Sequence, residues 1–437
     1  MHESFLSYIW QLQYFSKKDL RTIDGELIEI FHPGLLNTNS GPDFSNARIK
    51  IGSMNWVGNV EIHTLSSEWF THHHDSNPAY DNVILHLVWQ QDRPINRKDK
   101  TVLPTLELRR RVDESLIKTY RQLVTSSFSI PCERSIHTVS EMAKLSMLEK
   151  VLMERLERKA DEVRELYKQN GNSWEETLYQ LLARNFGFKI NAEPFFQLAK
   201  LVPLKIVQKQ ADKLEQIEAL LFGQAGFLEG TKGDEYFIRL QREHRLLIQK
   251  YSLHQNKMTK AQWRYLRLRP ANFPSLRLAQ FGALLHSYQN IFSAILAVED
   301  IKSLVNLFSV SPSSYWLHHY QFFKKTKTAV HELGQSSIEN IIINTVIPVW
   351  VAYGKINDEQ HWIDLAVNIL QQLPAEENKI TRLWKAIGFA TLHSFDSQGL
   401  IELYNNFCQQ KNCLNCNIGA SLIKPYKADI SADNNIH

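Results

Sequence analysis

The chain has 437 residues, 43% of them hydrophobic and 22% charged, which is typical of a globular protein with two or three domains. No stretch of eighteen apolar residues occurs, so we expect no membrane-spanning helix and no membrane partner. The net charge is only +4, and Met1-His2-Glu3-Ser4 lacks the basic start of a secretory signal, so we expect a cytoplasmic protein.

The first 128 residues show strand-like alternation after one short amphipathic helix, which is predicted over residues 3–15. Gly52-Ser53 separates two alternating stretches, 47–51 and 56–60, and predicts a β-hairpin. The other strand-like stretches are 26–31, 82–89 and 103–109, where Pro104 indicates an edge strand. These elements predict an α+β domain over residues 1–128.

Beyond residue 128 the hydrophobic period becomes that of helices. Apolar residues recur every three or four positions between Leu145 and Tyr167, which predicts a long amphipathic helix. Further helices are predicted over 174–186, 214–222, 236–251, 275–286, 338–351 and 361–373. We therefore predict a mostly α-helical domain over residues 129–420, followed by a loose polar tail over 421–437.

Three candidate catalytic residues, Asp43, Glu61 and His63, lie around the predicted hairpin. Glu61 and His63 are two residues apart in a strand, so their side chains point to the same face. Asp43 precedes the hairpin and could meet them. Two carboxylates beside a basic group can hold a hard divalent cation and activate its water. An exposed strand face with ordinary polar alternation is the simpler interpretation of the same pattern.

Pro42-Asp43 and Glu61-Ile62-His63 resemble the motif of the PD-(D/E)XK nuclease superfamily, in which a Pro-Asp pair and a Glu-x-Lys strand hold Mg²⁺. The resemblance implies a restriction-endonuclease-like mixed sheet and phosphodiester cleavage, with Asp43 and Glu61 as ligands of Mg²⁺ or Mn²⁺. His63 stands in the position of the lysine. Histidine can act as a general base but is a poorer fixed cation. The alternative is therefore a non-catalytic binding or scaffold protein that retains the fold.

Resemblance to a second family is carried by five segments, His32 to Gly34, Asn37 to Phe44, Gly58 to His63, Pro78 to His86 and Arg269 to Pro274. They are similar to an uncharacterised bacterial family, domain of unknown function 2851. The similarity extends over nearly the whole chain. It implies no established activity.

All four cysteines are candidate metal ligands. Cys408, Cys413 and Cys416 lie within nine residues as C-x₄-C-x₂-C, whereas Cys132 lies far upstream. In a cytosolic chain, grouped cysteines are more often metal ligands than disulfides. We expect Zn²⁺ or an iron–sulfur cluster, between which the spacing does not choose, and reduced thiols are the alternative. The set also resembles the iron–sulfur staple of helicase-associated nucleases. If all four bind one metal, their sulfurs should lie within about 4 Å of one another.

Five of the 17 histidines lie between residues 63 and 86. His72, His73 and His74 fall in the predicted connection between two strands, beside the candidate carboxylates. They could bind a metal or contact a phosphate, or they could be solvated. His86 lies in an apolar strand and is better explained as a core histidine.

The first 130 residues carry no basic excess, with 14 lysines and arginines against 15 aspartates and glutamates, a net charge of −1. Neutralising phosphates requires grouped cations, so we expect no tight nonspecific binding of nucleic acid by this region alone. Our first hypothesis is a divalent-metal-dependent nuclease whose partner is nucleic acid, with the helical region as a substrate platform.

Overall fold

The computed structural model describes residues 1–253, 257–327, 329 and 332–424. The chain divides into two compact units. Among the described residues, unit 1 comprises 1–148, 386–388 and 402–424, and unit 2 comprises the rest. Unit 1 therefore combines the predicted first domain with the segment that carries three of the four cysteines. Most of the predicted loose tail, residues 425–437, lies outside the described residues. Its first two residues belong to a helix that ends at Leu422.

Unit 1 is built on a six-stranded mixed sheet, which confirms the predicted α+β class. The strands are β1 (Ile28–His32), β2 (Leu35–Leu36), β3 (Phe44–Ile51), β4 (Met54–Leu65), β5 (Val83–Gln90) and β6 (Thr105–Glu107). The order is β1–β3–β4–β5–β6, and β2 also pairs with β3. Strand β3 pairs antiparallel with β1, β2 and β4, whereas β4, β5 and β6 pair in parallel. The predicted β3–β4 hairpin therefore belongs to the antiparallel part of the sheet.

The β3–β4 hairpin turns at Gly52, whose φ of +59° lies in the left-handed region that glycine adopts without strain. Strand β4 continues beyond its pairing with β3 and aligns Glu61 with His86 of β5. Glu61 and His63 consequently lie on a central strand of the sheet, where both side chains are buried. The alternation of the sequence predicted the hairpin but not this parallel pairing.

The helices of unit 1 cover the sheet and close its parallel connection. They are α1 (Glu3–Leu12), α2 (Glu68–Thr71), α3 (Glu114–Val124), the start of Glu141–Gln169, and Asn417–Leu422. Helix α1 buries Phe5, Ile9 and Trp10 and packs against β4. Parallel strands require a crossover. Here α2 and the 3₁₀ turn Pro78–Tyr80 form the crossover from β4 to β5, and this connection carries the histidine triplet.

Unit 2 is almost entirely helical, as predicted. Its helices are the remainder of Glu141–Gln169, then Trp174–Phe186, Phe188–Leu201, Leu204–Gln208, Leu214–Gln224, Glu235–Tyr251, Pro274–Ser287, Ile291–Leu296, Ile301–Phe308, Gln335–Ile341, Ile347–Asn357, Gln360–Gln372, Lys379–Ala386 and Ser394–Leu403. Two short strands, β7 (His319–Gln321) and β8 (Lys324–Lys325), form a separate hairpin. The core is rich in aromatic rings, among them Tyr179, Phe281 and Trp316. Among the described residues, every helix is too short or too polar to cross a bilayer.

Glu218 is a buried acid in the core of unit 2, only 1% exposed, and its Oε2 accepts a hydrogen bond from the Tyr236 hydroxyl at 2.9 Å. Burial raises the pKa of Glu218 to about 7 from 4.5. The folded state therefore binds a proton more tightly than the unfolded state does. Stability from this group is present below pH 4.5 and is lost as the pH rises through about 7.

We expect Glu218→Gln to remove this loss, because the amide keeps a hydrogen-bond acceptor and does not ionise. The difference in unfolding free energy between variant and wild type should grow by roughly 3 kcal/mol between about pH 4.5 and about pH 8. Chemical denaturation at the two pH values measures it. Glu193→Gln, at an exposed helical position, is the control. An equal pH dependence in wild type and Glu218→Gln would contradict the assignment.

Candidate metal centre

Asp43 is placed by the loop between β2 and β3. The Asn37 side chain holds this loop, since its Nδ2 donates to the carbonyl of Pro42 at 3.0 Å and its Oδ1 accepts from the Asn39 amide at 2.9 Å. Gly41 has a φ of +107°, which other residues rarely adopt. Asp43, the residue immediately before β3, is thereby held in a fixed orientation. Sequence reasoning did not single out this role of Asn37.

Asp43 and Glu61 are joined by two reciprocal hydrogen bonds. The Asp43 amide donates to Glu61 Oε2 at 3.1 Å, and the Ile62 amide donates to Asp43 Oδ2 at 3.0 Å. Each carboxylate is therefore held by the backbone of the strand that carries the other. The structure brings these two predicted ligands together, and one oxygen of each remains for other partners.

The two carboxylates lie in a region where negative charge is costly. Burial, together with the charges of Asp43 and Glu3, raises the pKa of Glu61 to about 9. Burial also raises the pKa of Asp43, which the Ile62 hydrogen bond partly offsets. The pKa of Glu3 in α1 is raised by burial and then by Asp43. The charge of Asp43 thus raises the pKa of both Glu61 and Glu3, and a bound cation would relieve this repulsion.

His63 is 1% exposed and lies between two other imidazoles. Its Nδ1 is 2.8 Å from Nε2 of His86, and its Nε2 is 3.1 Å from Nδ1 of His72. Burial, followed by the neighbouring histidines, lowers the pKa of His63 to about 2. The ring is therefore neutral at neutral pH and supplies no positive charge in the lysine position. The neutral ring keeps a nitrogen lone pair, which is what a metal ion binds.

The turn after α2 directs two further histidines to the same place. His73 adopts the left-handed conformation, with a φ of +59°, between exposed His72 and buried His74. His74 Nε2 is 3.1 Å from Oε1 of Glu61. Each of His63, His72 and His74 offers one ring nitrogen, and these three nitrogens all lie within 4.8 Å of one another. Sequence analysis gave the triplet as one of several interpretations and did not select these two members.

The four cysteines are all buried in unit 1 and form no disulfide. Burial, together with the neighbouring thiols of Cys416 and Cys413, raises the pKa of Cys132 to about 12. Burial also raises the pKa of Cys408, with a contribution from each of the other three thiols. However, among the described residues no three cysteine sulfurs lie within 4.8 Å of one another. The expectation that the four sulfurs lie within about 4 Å of one another is therefore wrong. The thiols are buried in the same unit, but not at the spacing that one tetrahedral ion would impose.

A polar pocket of about 690 Å³ opens beside Asp43 within unit 1. Helix α1 contributes Glu3, Ser4, Ser7, Tyr8 and Gln11, and the cysteine segment contributes Asn406, Gln410, Lys411, Asn412, Leu414 and Asn415. The cysteine segment is tied to the rest of unit 1 because Lys411 Nζ donates to the carbonyl of Ser126. Both terminal regions of the chain thus form walls of the same pocket.

Comparison with protein families assigns the chain. The family described as "Protein of unknown function (DUF2851)" matches residues 3–379. The chain belongs to the DUF2851 family. No curated protein and no solved structure matches it. The DUF2851 match includes the carboxylates, the histidines and Cys132, and it ends before the C-terminal cysteine segment.

Because Glu61 is buried near two other acids, we expect Glu61→Gln to stabilise this DUF2851 protein when metals are removed. The amide keeps the acceptor for the Asp43 amide and removes a desolvated charge, which should raise the unfolding free energy by roughly 1 kcal/mol. Thermal unfolding in the presence of a chelator measures it. Asp24→Asn, at an exposed turn, is the control. A lower melting temperature for Glu61→Gln than for the control would contradict the account.

Proposed function

We propose that the chain is a divalent-metal-dependent phosphodiesterase that cleaves nucleic acid. The observation that carries the proposal is the Asp43–Glu61 pair, held by reciprocal hydrogen bonds, with Asp43 lining a polar pocket. The likeness of Pro42-Asp43 and Glu61-Ile62-His63 to the PD-(D/E)XK motif supports the same chemistry. The mixed sheet, in which Asp43 immediately precedes β3 and Glu61 lies on the adjacent strand β4, is compatible with it.

The residues of the site divide the work between binding and chemistry. Mg²⁺ or Mn²⁺ held between the carboxylates of Asp43 and Glu61 would supply a water of lowered pKa and polarise the phosphate. Burial of these residues limits competing solvent. The amide and hydroxyl groups of the pocket can donate to and accept from phosphates and base edges. A volume of about 690 Å³ is within the range of small-ligand sites, so the pocket accommodates one or two nucleotides.

His63 serves this site as a positioning group rather than as a lysine-like cation. Its ring is enclosed by His86 and His72 and carries no charge at neutral pH. This observation also favours the second candidate, a binding protein that has lost catalysis along with the lysine. The two candidates differ in one measurable respect, because the binding protein retains nucleic acid affinity in the presence of metal without cleaving it.

We expect Asp43→Asn and Glu61→Gln each to reduce Mn²⁺-dependent cleavage at least 100-fold, since each removes a charged ligand while keeping the local hydrogen bonds. Labelled single-stranded DNA, double-stranded DNA and RNA are incubated with each variant, and products are separated by length. Circular dichroism confirms folding, and Asp24→Asn should cleave like wild type.

Cleavage that persists in both variants would exclude this pair as the catalytic site. Wild type that binds the substrates with Mn²⁺ but cleaves none of them would select the binding protein instead. Because the first 130 residues carry no basic excess, binding should depend only weakly on salt in either case.

We also propose that the four cysteines hold an iron–sulfur cluster rather than a single Zn²⁺. Four thiolates on one tetrahedral Zn²⁺, each about 2.3 Å from the metal, would be roughly 3.8 Å apart. In a cluster the thiolates bind different irons and lie farther apart. The buried thiols of Cys132 and the C-terminal segment influence one another's pKa, and no three of the four described sulfurs lie within 4.8 Å of one another, which disfavours one Zn²⁺ ion and is compatible with the wider spacing of a cluster.

A cluster would fix the segment that forms one wall of the pocket, so Cys413→Ser should lose iron and destabilise unit 1 by several kcal/mol. Anaerobically purified protein is analysed for iron, sulfide, zinc and visible absorption, and then by thermal unfolding. Ser421→Ala, in the same segment, is the control and should retain the metal. Stoichiometric zinc without iron would reject the cluster, and absence of both metals would leave reduced thiols.

A further inference from the structure

The strongest unassigned feature of unit 1 is the group of imidazoles above β4. His63 comes from the strand, whereas His72 and His74 come from the turn that follows α2. Their three ring nitrogens lie within 4.8 Å of one another. The 3.1 Å separation of His63 Nε2 from His72 Nδ1 is close to the roughly 3.3 Å between two nitrogens that each bind a tetrahedral metal at about 2.05 Å.

The hydrogen bonding of His74 is incomplete without a further partner. Its side chain is only 9% exposed, yet neither ring nitrogen makes a hydrogen bond in the structure. Leaving a buried polar group unsatisfied is energetically costly, and such groups in native proteins usually have a bound water or ion as partner. His74 Nε2 lies 3.1 Å from Glu61 Oε1, an ion-pair distance without the geometry of a hydrogen bond, so an ion bound beside both atoms would satisfy each of them.

The surroundings hold the rings in place. His86 is fully buried, and its Nε2 lies 2.8 Å from His63 Nδ1, so it can accept that proton and leave His63 Nε2 as the donor of a lone pair. Tyr80 stacks on His74 with ring centroids 3.7 Å apart. Ligating histidines are usually oriented by a hydrogen bond at the second nitrogen, and His63 has this arrangement.

We propose that His63, His72 and His74, with Glu61 as the fourth ligand, bind one first-row transition-metal ion such as Zn²⁺. Glu61 Oε1 lies 3.7 Å from His63 Nε2 and 3.1 Å from His74 Nε2, but Glu61 is not among the residues whose ligand atoms all lie within 4.8 Å of one another, so it would reach the shared ion by a small side-chain shift. Three imidazoles and one carboxylate suit Zn²⁺, Fe²⁺ or Ni²⁺, whereas Mg²⁺ prefers oxygen ligands and bound water. Exposure of His72 gives the ion a route from solvent.

This site shares Glu61 with the proposed nuclease pair but does not depend on cleavage. Glu61 would bridge the two, because its Oε2 faces the Asp43 amide and its Oε1 faces the histidines. The metal site is therefore tested by binding alone. Activity is measured separately, so failure of one proposal is distinguishable from failure of the other.

The test uses the full chain, freed of metal by a chelator and titrated with Zn²⁺ and with Mg²⁺ by calorimetry. His72→Ala changes an exposed residue and should fold, and it should lower Zn²⁺ affinity at this site at least tenfold. His73→Asn is the matched control, since asparagine tolerates the left-handed conformation and the side chain is exposed, and it should bind like wild type. Excess Mg²⁺ should not displace Zn²⁺.

Because thiols in metal-free protein can also take up added Zn²⁺ or Co²⁺, Co²⁺ absorption distinguishes binding at the histidines from binding at the cysteines. Thiolate ligands give a near-ultraviolet charge-transfer band, whereas the His72→Ala change should remove only visible bands of the other ion. Unchanged Zn²⁺ affinity and unchanged Co²⁺ spectra in both His72→Ala and His74→Ala would overturn the site, as would displacement by Mg²⁺. Zinc binding lost in His72→Ala with Mn²⁺-dependent cleavage retained would support the metal site and leave cleavage to Asp43 and Glu61.

Discussion

Much of unit 1 is arranged around the reciprocal hydrogen bonds between Asp43 and Glu61. Two buried carboxylates repel each other and lose hydration, so they stay together only where the backbone holds them. The Asp43 and Ile62 amides do this across the β3–β4 pairing. The loop held by Asn37 fixes the start of β3, and the turn at Gly52 fixes its end and the start of β4. Together they set the positions from which Asp43 and Glu61 meet.

The histidines add a second kind of donor to the same low-dielectric region. Neutral imidazoles tolerate burial far better than cations do, and the low pKa of His63 and His74 follows from that burial. A site with carboxylate oxygens on one side and imidazole nitrogens on the other can discriminate between hard and borderline metals. Glu61 is the residue common to both sides.

Local patterns predicted much of this fold from the sequence. Alternation around Gly52 indicated the hairpin, and helical periodicity indicated Trp174–Phe186 with its bounds. The position of Glu61 and His63 on one face followed from strand geometry. By contrast, the parallel pairing of β4 with β5 is non-local, and no periodicity encodes it.

The histidine site shows a different limit of sequence reasoning. The density of histidines was visible, but the selection of His72 and His74 depends on the left-handed conformation of His73. Similarly, the C-x₄-C-x₂-C spacing predicted a metal site, but it did not predict that these cysteines belong to unit 1 with the sheet. That depends on how residues 402–424 pack. Tertiary packing decided both outcomes.

The pocket beside Asp43 has a consequence for biosynthesis. Its walls come from α1 and from residues 406–415, which a ribosome makes about 400 residues apart. At roughly 5–20 residues per second, the sheet and its carboxylates exist for about 20–80 s before the second wall is translated. The chain therefore cannot complete this pocket while most of it is still being made, so a nascent chain displays the sheet and Asp43 without the second wall.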